Sequence, residues 1–495
     1  MVPVVSWVNK PLPRSSQDNL PDEEISRTQI LYSMTRDYEL GGLTSPPTDA
    51  IPVVSPLQRT TEQRIDDSKS EAGEVQHQVN GRVYTVFLLL NSMIGSGVFN
   101  IPYVFSKTGL VSAYFLLTMA AALVYLGLVL LVQVFVEGGS DCPEDYSELS
   151  GRVLSPSYGP IVTDLSIAIV GFGALLSYVS GITKMSALLT TSWSGSENLS
   201  TSYLATGLIM LFLVFPLSLQ RSYGHFTGIS VVSMTSVGLV LCLVVIGGPL
   251  YQAKYGTLIS SSTSALLLGT GGGSAPVSQL GSIIFTFSCA SATFHTFKYM
   301  RVRTLVEWRV VARTTVFCGW CLCVVMGTAG FLVFGQSTEG IILANFQMGH
   351  VGDFFQLLFI LHLVLYIPLD FLVARHSLLR LCGVSSGALV DNKAHTALSF
   401  LLLALATLTI LFLDASNVRA GQSFSIILNF TGGLGGSIIS FVLPAWLFLS
   451  QLRASGPERL TLANLLPSAK LLLSGLLFAI YVPVSTVISA VQGSS

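Results

Sequence analysis

The stretch from Leu88 to Phe105, LLLNSMIGSGVFNIPYVF, places small and polar residues inside an apolar run long enough to cross a bilayer. The interrupting residues are Asn91, Ser92, Gly95, Ser96, Gly97, Asn100 and Pro102. Glycine lets the backbone leave helical angles and approach a ligand closely, and the amide of Asn91 offers a hydrogen-bond donor and an acceptor. Backbone groups in lipid must be satisfied within the protein, so a span that breaks here lines a cavity or packs against other helices.

Such a break can bind charged groups near the middle of a membrane. The N-terminus of a half-helix presents N–H groups and a positive dipole to an anion, while unwound carbonyls hold a cation. Small residues also let helices pack closely, so this stretch alone leaves binding and packing open. A second interruption, in IIFTFSCASATFHTF from Ile283 to Phe297, favours binding. Paired interruptions in corresponding spans of two halves are the best sequence indication of a transport site.

The rest of the chain supplies the elements that position these stretches. Segments of about 20 apolar residues indicate membrane spans. They lie near residues 84–107, 111–135, 160–182, 203–217, 227–248, 278–299, 312–334, 353–374, 396–413, 422–449 and 469–490. We therefore expect an eleven-helix membrane domain over residues 81–490. Residues 1–80 are rich in Ser, Pro, Thr, Glu and Asp, which predicts a disordered cytosolic tail.

The distribution of Lys and Arg predicts the orientation. The loops on the side of the N-terminus hold most of these residues, and the opposite loops hold only Lys107, Lys184, Lys254 and Arg419. This asymmetry predicts a cytosolic N-terminus and a non-cytosolic C-terminus. The sequon NLS at Asn198 then falls in an outer loop, which makes Asn198 a candidate for glycosylation.

The composition excludes several classes of protein. Charged residues make up 10% of the 495 residues and hydrophobic residues 51%, whereas soluble domains contain about 25% charged residues. The net charge of −1 argues against a nucleic-acid partner. The seven cysteines lack the spacing of a metal site, so we expect no metal and no cofactor. The spans carry neither an H-E-x-x-H motif nor a ring of charges, which argues against an enzyme and a channel.

Six stretches, in order along the chain, carry a resemblance to a known family. They are NSMIGSGVFNIPYVFSKTGL, FGALLSYVSGITKM, PLSLQRSYGHFTGISVVSM, GFLVFGQSTEGIILANF, YIPLDFLVARHSLL and GGLGGSIISFVLPAWLFL. Over about residues 80 to 490 the chain resembles the amino acid/auxin permease family, which includes neutral amino acid transporters of animals and vacuolar amino acid transporters of fungi.

The resemblance implies a fold and a substrate. The fold is an all-α integral membrane protein with a LeuT-like 5+5 inverted repeat, in which helices 1 and 6 are broken, and with an eleventh helix. The substrate is an amino acid whose carboxylate meets the first break and whose ammonium meets the sixth. The implied substrate-binding residues are Asn91, Ile94, Gly95, Ser96, Gly97, Phe287, Ser288 and Cys289.

Helix eight departs from the pattern of the sodium-coupled animal members. Those members carry a Thr two residues before the first Pro of their P…P-x-R pattern. In this chain, which resembles them here, Tyr366 takes that position before Pro368. A bulky phenol fits a compact cation cage poorly, which favours protons over sodium as the coupling ion. Asn91 is kept and could serve a cation or tie helices together.

Two ionisable residues in the eighth span are further candidates for ion coupling, because such groups are costly within a membrane. Asp370 is either a proton-coupling carboxylate or, as we favour here, the partner of Arg375 or a loop cation in an ion pair. His362 could relay a proton near neutral pH, although a core histidine bonded to a neighbouring helix is the more ordinary interpretation.

The sequence therefore predicts a secondary active transporter of amino acids that works by alternating access and is coupled to protons. A small or neutral substrate is expected, since no span offers an evident counter-charge at the side-chain pocket. Two alternatives remain open: a sodium-coupled transporter, and a membrane sensor that binds the same ligand and signals through its N-terminal tail. The sequence leaves open the oligomeric state and the choice between the plasma membrane and the vacuolar or lysosomal membrane.

Overall fold

Within the part of the chain that the structure describes, the helices are long enough to cross a membrane eleven times when the bent first pair counts as one span. This computed structural model describes residues 81–139, 141–196, 198–219, 227–255, 277, 279–346, 349–383, 392–415 and 420–492. The predicted tail over residues 1–80 lies outside the described residues. In order, the spans are Arg82–Met93 with Ser96–Thr108, Leu110–Glu137, Gly159–Ser194, Leu199–Ser218, Val231–Lys254, Leu280–Lys298, Leu305–Ser337, His350–Leu381, His395–Ala415, Ser423–Ala454 and Leu462–Ala490.

Several predicted span limits are wrong. The third span runs over Gly159–Ser194, rather than residues 160–182, and stops where Gly195 adopts a left-handed φ of 71°. The fourth covers Leu199–Ser218 instead of 203–217, and the seventh begins at Leu305 instead of 312. Hydropathy marks only the part of a helix that lies in lipid, whereas the backbone remains helical beyond it until a cap or glycine ends it.

A short helix over Tyr146–Val153, between the second and third spans, is absent from the prediction. The side chain of Asp145 caps its start by accepting the N–H of Glu148, and the Glu148 carboxylate accepts the N–H of Glu144. The two bonds satisfy backbone N–H groups at the start of the helix and stabilise its first turn.

The sixth span lies at the centre of the bundle. Its apolar window is 78% buried, against 22% in the fourth span and 28% in the ninth and eleventh. Close packing against the tenth span explains the glycine at 281: a Cβ there would lie 1.9 Å from the carbonyl oxygen of Asn429. The Asn429 side chain also accepts the N–H of Ser282 and donates to Thr486, which joins the sixth, tenth and eleventh spans.

An ion network joins the third and eighth spans at the side of the bundle where the first span begins, called here the near side. Arg380 of the eighth span donates to both carboxylate oxygens of Asp164, at 2.6 and 3.1 Å. The same guanidinium pairs with Asp145, the cap of the short helix. Because the side chain of Asp164 is only 3% exposed, its charge depends on Arg380 for compensation.

Replacement of Arg380 tests this network. We expect Arg380→Ala to lower the free energy of unfolding by about 3 kcal/mol, because a buried carboxylate loses its cation. The matched control is Arg152→Ala, which removes an exposed pair with Glu148 and should cost about 0.5 kcal/mol. Thermal unfolding in detergent micelles measures both, and equal melting temperatures for the two variants would contradict the assignment.

Candidate functional site

The first span is broken between Met93 and Ser96, and its two halves are bent by 57°. Ile94, with ψ of 83°, and Gly95, with ψ of −151°, leave helical angles. A turn of 3-10 helix over Ser96–Asn100 follows, and a regular helix resumes at Ile101 with Pro102 in its first turn. The break therefore exposes carbonyls at the end of one half and N–H groups at the start of the next.

The sixth span is also interrupted. Its first half is the helix Leu280–Thr286, and its second half, Thr293–Lys298, is preceded by a 3-10 turn over Ala290–Ala292. Phe287 and Cys289 lie between them with non-helical angles, at ψ of 0° and 13°. Both breaks that the sequence predicts are confirmed.

The two breaks touch each other. A Cβ built on Gly97 would lie 2.3 Å from Oγ1 of Thr286 and 3.0 Å from its Cα. The hydroxyl of Thr286 already donates to the carbonyl of Ser282, so this side chain is held in place. Only glycine at 97 allows the first span to approach the sixth this closely.

A cavity opens beside the two breaks. The centre of a water-sized sphere can occupy about 60 Å³ of it, which exceeds the roughly 10–15 Å³ that one water needs. Five spans contribute to its wall. The lining residues are Ser92, Met93, Gly95, Gly97, Ile167, Val170, Gly171, Ala174, Tyr178, Phe285, Thr286, Ser288, Ser291, Tyr366, Asp370, Val373, Ala374 and Ile439. The cavity can therefore hold a small solute in contact with bare backbone.

Asp370 supplies the one carboxylate among the described residues of this wall. Its Oδ2 accepts a hydrogen bond of 2.5 Å from the hydroxyl of Tyr178 in the third span. The ion pair with Arg375 that the sequence analysis favours is wrong. Positions five apart on a helix point about 140° away from each other, and Arg375 donates instead to the carbonyl of Ser218 and the hydroxyl of Ser399.

This carboxylate also corrects the reasoning about the substrate. The sequence predicts no counter-charge at the side-chain pocket, yet Asp370 lies in the cavity wall. Its charge is visible in the sequence, but the face that it occupies on the eighth span is decided by packing against the third span.

Tyr366 lies over the first break. Its hydroxyl donates to the carbonyl of Asn91 at 2.9 Å and is 3.3 Å from the carbonyl of Ser92. The Tyr366 hydroxyl is therefore hydrogen-bonded to the carbonyl oxygens that the break would otherwise offer to a cation. Its ring meets the ring of Tyr178 edge to face at 5.8 Å.

His362 lies away from the cavity. It is fully buried, and its Nδ1 is 2.8 Å from the hydroxyl of Ser233 in the fifth span. Its ring stacks on Tyr366 with centroids 5.6 Å apart and meets Phe99 edge to face. This is the core position that the sequence analysis gives as the more ordinary interpretation.

The remaining predicted residues divide into two groups. Gly95, Gly97 and Ser288 line the cavity, together with Tyr366 and Asp370. The other predicted binding residues lie within the breaks or beside them, outside the lining: Asn91, Ile94, Ser96, Phe287 and Cys289. Asn198 is exposed and caps the fourth span, where its Oδ1 accepts the N–H of Thr201.

Sequence reasoning missed several lining residues. Tyr178 and Thr286 are the most important, because one contacts Asp370 and the other contacts Gly97. Tyr178 lies in the stretch FGALLSYVSGITKM, which carries part of the family resemblance. A tyrosine or threonine inside a span is common in ordinary helix packing, so its type alone did not mark it as part of a site.

Comparison with known proteins supports the family and the fold. The family model described as transmembrane amino acid transporter protein matches residues 80–487. The mouse (Mus musculus) protein named "Putative sodium-coupled neutral amino acid transporter 11" is 24% identical over 80% of this chain and 83% of its own length. Vacuolar amino acid transporter 5 of Schizosaccharomyces pombe is 24% identical over 74% of this chain and 83% of its own.

A solved structure agrees with the architecture. The crystal structure of a mutant manganese transporter from Eremococcus coleocola superposes with a TM-score of 0.50 at 13% identity, over 82% of this chain and 94% of that one. At this identity the likeness concerns the fold alone. The predicted all-α, LeuT-like architecture is confirmed.

The contact between the breaks can be tested by adding one methyl group. We expect Gly97→Ala to lower the free energy of unfolding by about 2 kcal/mol, since the new Cβ forces backbone apart. Gly238→Ala is the control, because a Cβ at this exposed helical position meets nothing within 4 Å. It should raise stability by up to about 1 kcal/mol. A Gly97 variant that melts like the control would show that the breaks lie further apart.

Proposed function

Because the chain belongs to the transmembrane amino acid transporter family, we propose that it is a secondary active transporter that carries amino acids across its membrane by alternating access. The observation that carries this proposal is the cavity at the meeting point of two broken spans. The relatives are named as transporters, which are not enzymes.

The two breaks offer what the charged ends of an amino acid need. The substrate carboxylate binds the N–H groups that begin the second half of the first span, around Gly95, Ser96 and Gly97. The ammonium binds carbonyls and small side chains around Phe287, Ser288 and Cys289. Asn91 and Ile94, which lie in or beside the first break, hold its backbone in position for the ligand.

Alternating access requires that the cavity open to one side at a time. The lining residues of the third and eighth spans fall in their near halves, over 167–178 and 366–374. Beyond the break, Phe99 packs edge to face on Phe359 with centroids 4.7 Å apart. Asn100 donates to the carbonyl of Gly340 and to Ser425 of the tenth span. This arrangement supports a state that is closed towards the far side.

Protons are the coupling ion in this proposal, and Asp370 carries them. A carboxyl group can take up and release a proton, and it faces the cavity from which a substrate would reach it. Sodium is the alternative, supported by the printed name of the mouse relative. Against sodium, the Tyr366 hydroxyl already donates to the carbonyls of Asn91 and Ser92, so a cation bound there would have to displace it.

A small, neutral amino acid is the proposed substrate. Only about 60 Å³ of the cavity is open to the centre of a water-sized sphere, which favours a short side chain, and the mouse relative is named for neutral amino acids. The near side is cytosolic in the proposed orientation, which leaves Asn198 exposed on the opposite side for glycosylation. Either the plasma membrane or a vacuolar or lysosomal membrane suits the names of the relatives.

Uptake into proteoliposomes tests the function. The purified full chain is expected to accumulate labelled neutral amino acids when the outside is acidic, and a sodium gradient alone should drive no accumulation. Accumulation with sodium at equal pH would support the alternative coupling ion. Saturable binding without any flux would favour the membrane sensor that signals through its N-terminal tail.

Asp370→Asn tests the coupling group. The amide keeps the size of the carboxyl group but cannot exchange a proton, so we expect accumulation under a pH gradient to fall to the equilibrium level. Exchange of internal for external substrate should persist, because exchange needs no net proton movement.

Two results would count against this role for Asp370. Accumulation equal to that of the wild type would exclude it as the proton carrier. Loss of exchange confined to lysine and arginine would assign Asp370 to a cationic substrate instead. Asp353→Asn is the matched control, since Asp353 is also a carboxylate of the eighth span, bonded to Ser192 and Trp193 away from the cavity.

A further inference from the structure

We propose that Tyr178 couples the protonation of Asp370 to substrate binding. Its hydroxyl donates one hydrogen bond, either to Asp370 or to the carboxylate of the substrate. This inference rests on the proposed function. In this proposal, Tyr178 of the third span is the link by which protonation of Asp370 on the eighth span improves substrate binding at the break in the first span.

The position of the hydroxyl carries the proposal. The Tyr178 Oη lies 2.5 Å from Oδ2 of Asp370. The same atom lies 3.2 Å from the place that a Cβ would take on Gly95. One hydroxyl thus lies against both the carboxyl group and the backbone of the first break, around which the substrate carboxylate is proposed to bind.

The hydroxyl has only one proton to donate. An ionised Asp370 accepts hydrogen bonds and offers none, so it holds that proton in a charge-assisted bond. A protonated Asp370 carries its own O–H and can donate to the Tyr178 oxygen. The tyrosine proton is then free to turn towards a second carboxylate, and no covalent bond to the phenol breaks in either state.

The proton balance is simple. A proton from the far side binds an oxygen of Asp370 and releases the Tyr178 hydroxyl for the substrate. Once the substrate has left on the near side, the proton leaves Asp370, and the hydroxyl returns to the carboxylate. Substrate and proton therefore favour each other's binding, as symport requires.

The surroundings of Asp370 leave this exchange undisturbed. Among the described residues, the titratable groups that face it are Tyr178 of the third span and Tyr366 of its own span, and Cys289 of the sixth span lies near Tyr366. The described cavity wall contains no lysine, arginine or histidine. Tyr366 keeps its hydroxyl on the carbonyl of Asn91, so it does not compete for the carboxylate.

Rotation of the Tyr178 ring is restricted by its neighbours. Its ring packs edge to face on Tyr366, with ring centroids 5.8 Å apart. Tyr178 is buried, with 1% of its surface exposed. The switch therefore needs only rotation of the O–H bond, with the ring in place.

The experiment measures the KM for a neutral amino acid as a function of pH in proteoliposomes. The wild-type KM should fall as the outside becomes acidic. In Tyr178→Phe we expect the KM to be independent of pH and about tenfold higher at acidic pH, the loss expected for one hydrogen bond to a charged group. A Tyr178 variant with the pH dependence of the wild type would overturn the proposal.

Two further variants separate this role from a structural one. Tyr114→Phe removes a hydroxyl bonded to Thr328 between the second and seventh spans and should keep the wild-type profile. Asp370→Asn mimics the neutral carboxyl group and should hold the KM low at every pH. A high KM in Asp370→Asn at every pH would contradict the switch.

Failure of the proposed function gives a different result. In that case the wild-type chain takes up no amino acid at any pH, whereas failure of the switch alone leaves uptake intact. Thermal unfolding of each variant shows whether a raised KM reflects misfolding. A Tyr178 variant that melts like the wild type and still loses its pH dependence supports the proposal.

Discussion

A helix that breaks inside a membrane frees peptide groups that have no water to bind, and the centre of this protein is organised around that constraint. The carbonyls that end the first half-helix receive the Tyr366 hydroxyl. Because Tyr366 belongs to the eighth span, the same bond that satisfies the break also ties it to a neighbouring helix. Glycine at 97 then brings the sixth span close enough for the two breaks to share one cavity.

The protein treats its buried carboxylates in two different ways. Asp164 is paired with Arg380 and also accepts the hydroxyl of Ser147, so its charge is compensated. Among the described residues, Asp370 receives a hydrogen bond from the hydroxyl of Tyr178 alone. A compensated carboxylate holds helices together, whereas one that a single hydroxyl satisfies remains able to change its protonation state. The difference in partners follows the difference in the roles proposed for them.

The sequence predicted the fold and the two breaks well, because both depend on local composition. Apolar length identifies a span, and clusters of small and polar residues, such as those around Gly95 and Ser288, indicate a break. The cavity wall was less predictable, since it depends on which faces of separate helices meet. Tyr178 had no signal of its own, and Asp370 was paired with Arg375 by proximity in sequence although the two point to different neighbours.

The choice of coupling ion follows from one side chain in the proposed mechanism. A sodium ion at a broken helix is held by freed carbonyls, which replace its water. A phenol at Tyr366 offers the same carbonyls a fixed O–H dipole, so the break is satisfied without an ion. Asp370 lies one turn further along the same helix and faces the same cavity. In the proposed mechanism, the side chain that takes the place of a cation and the side chain that carries the proton are therefore one helical turn apart.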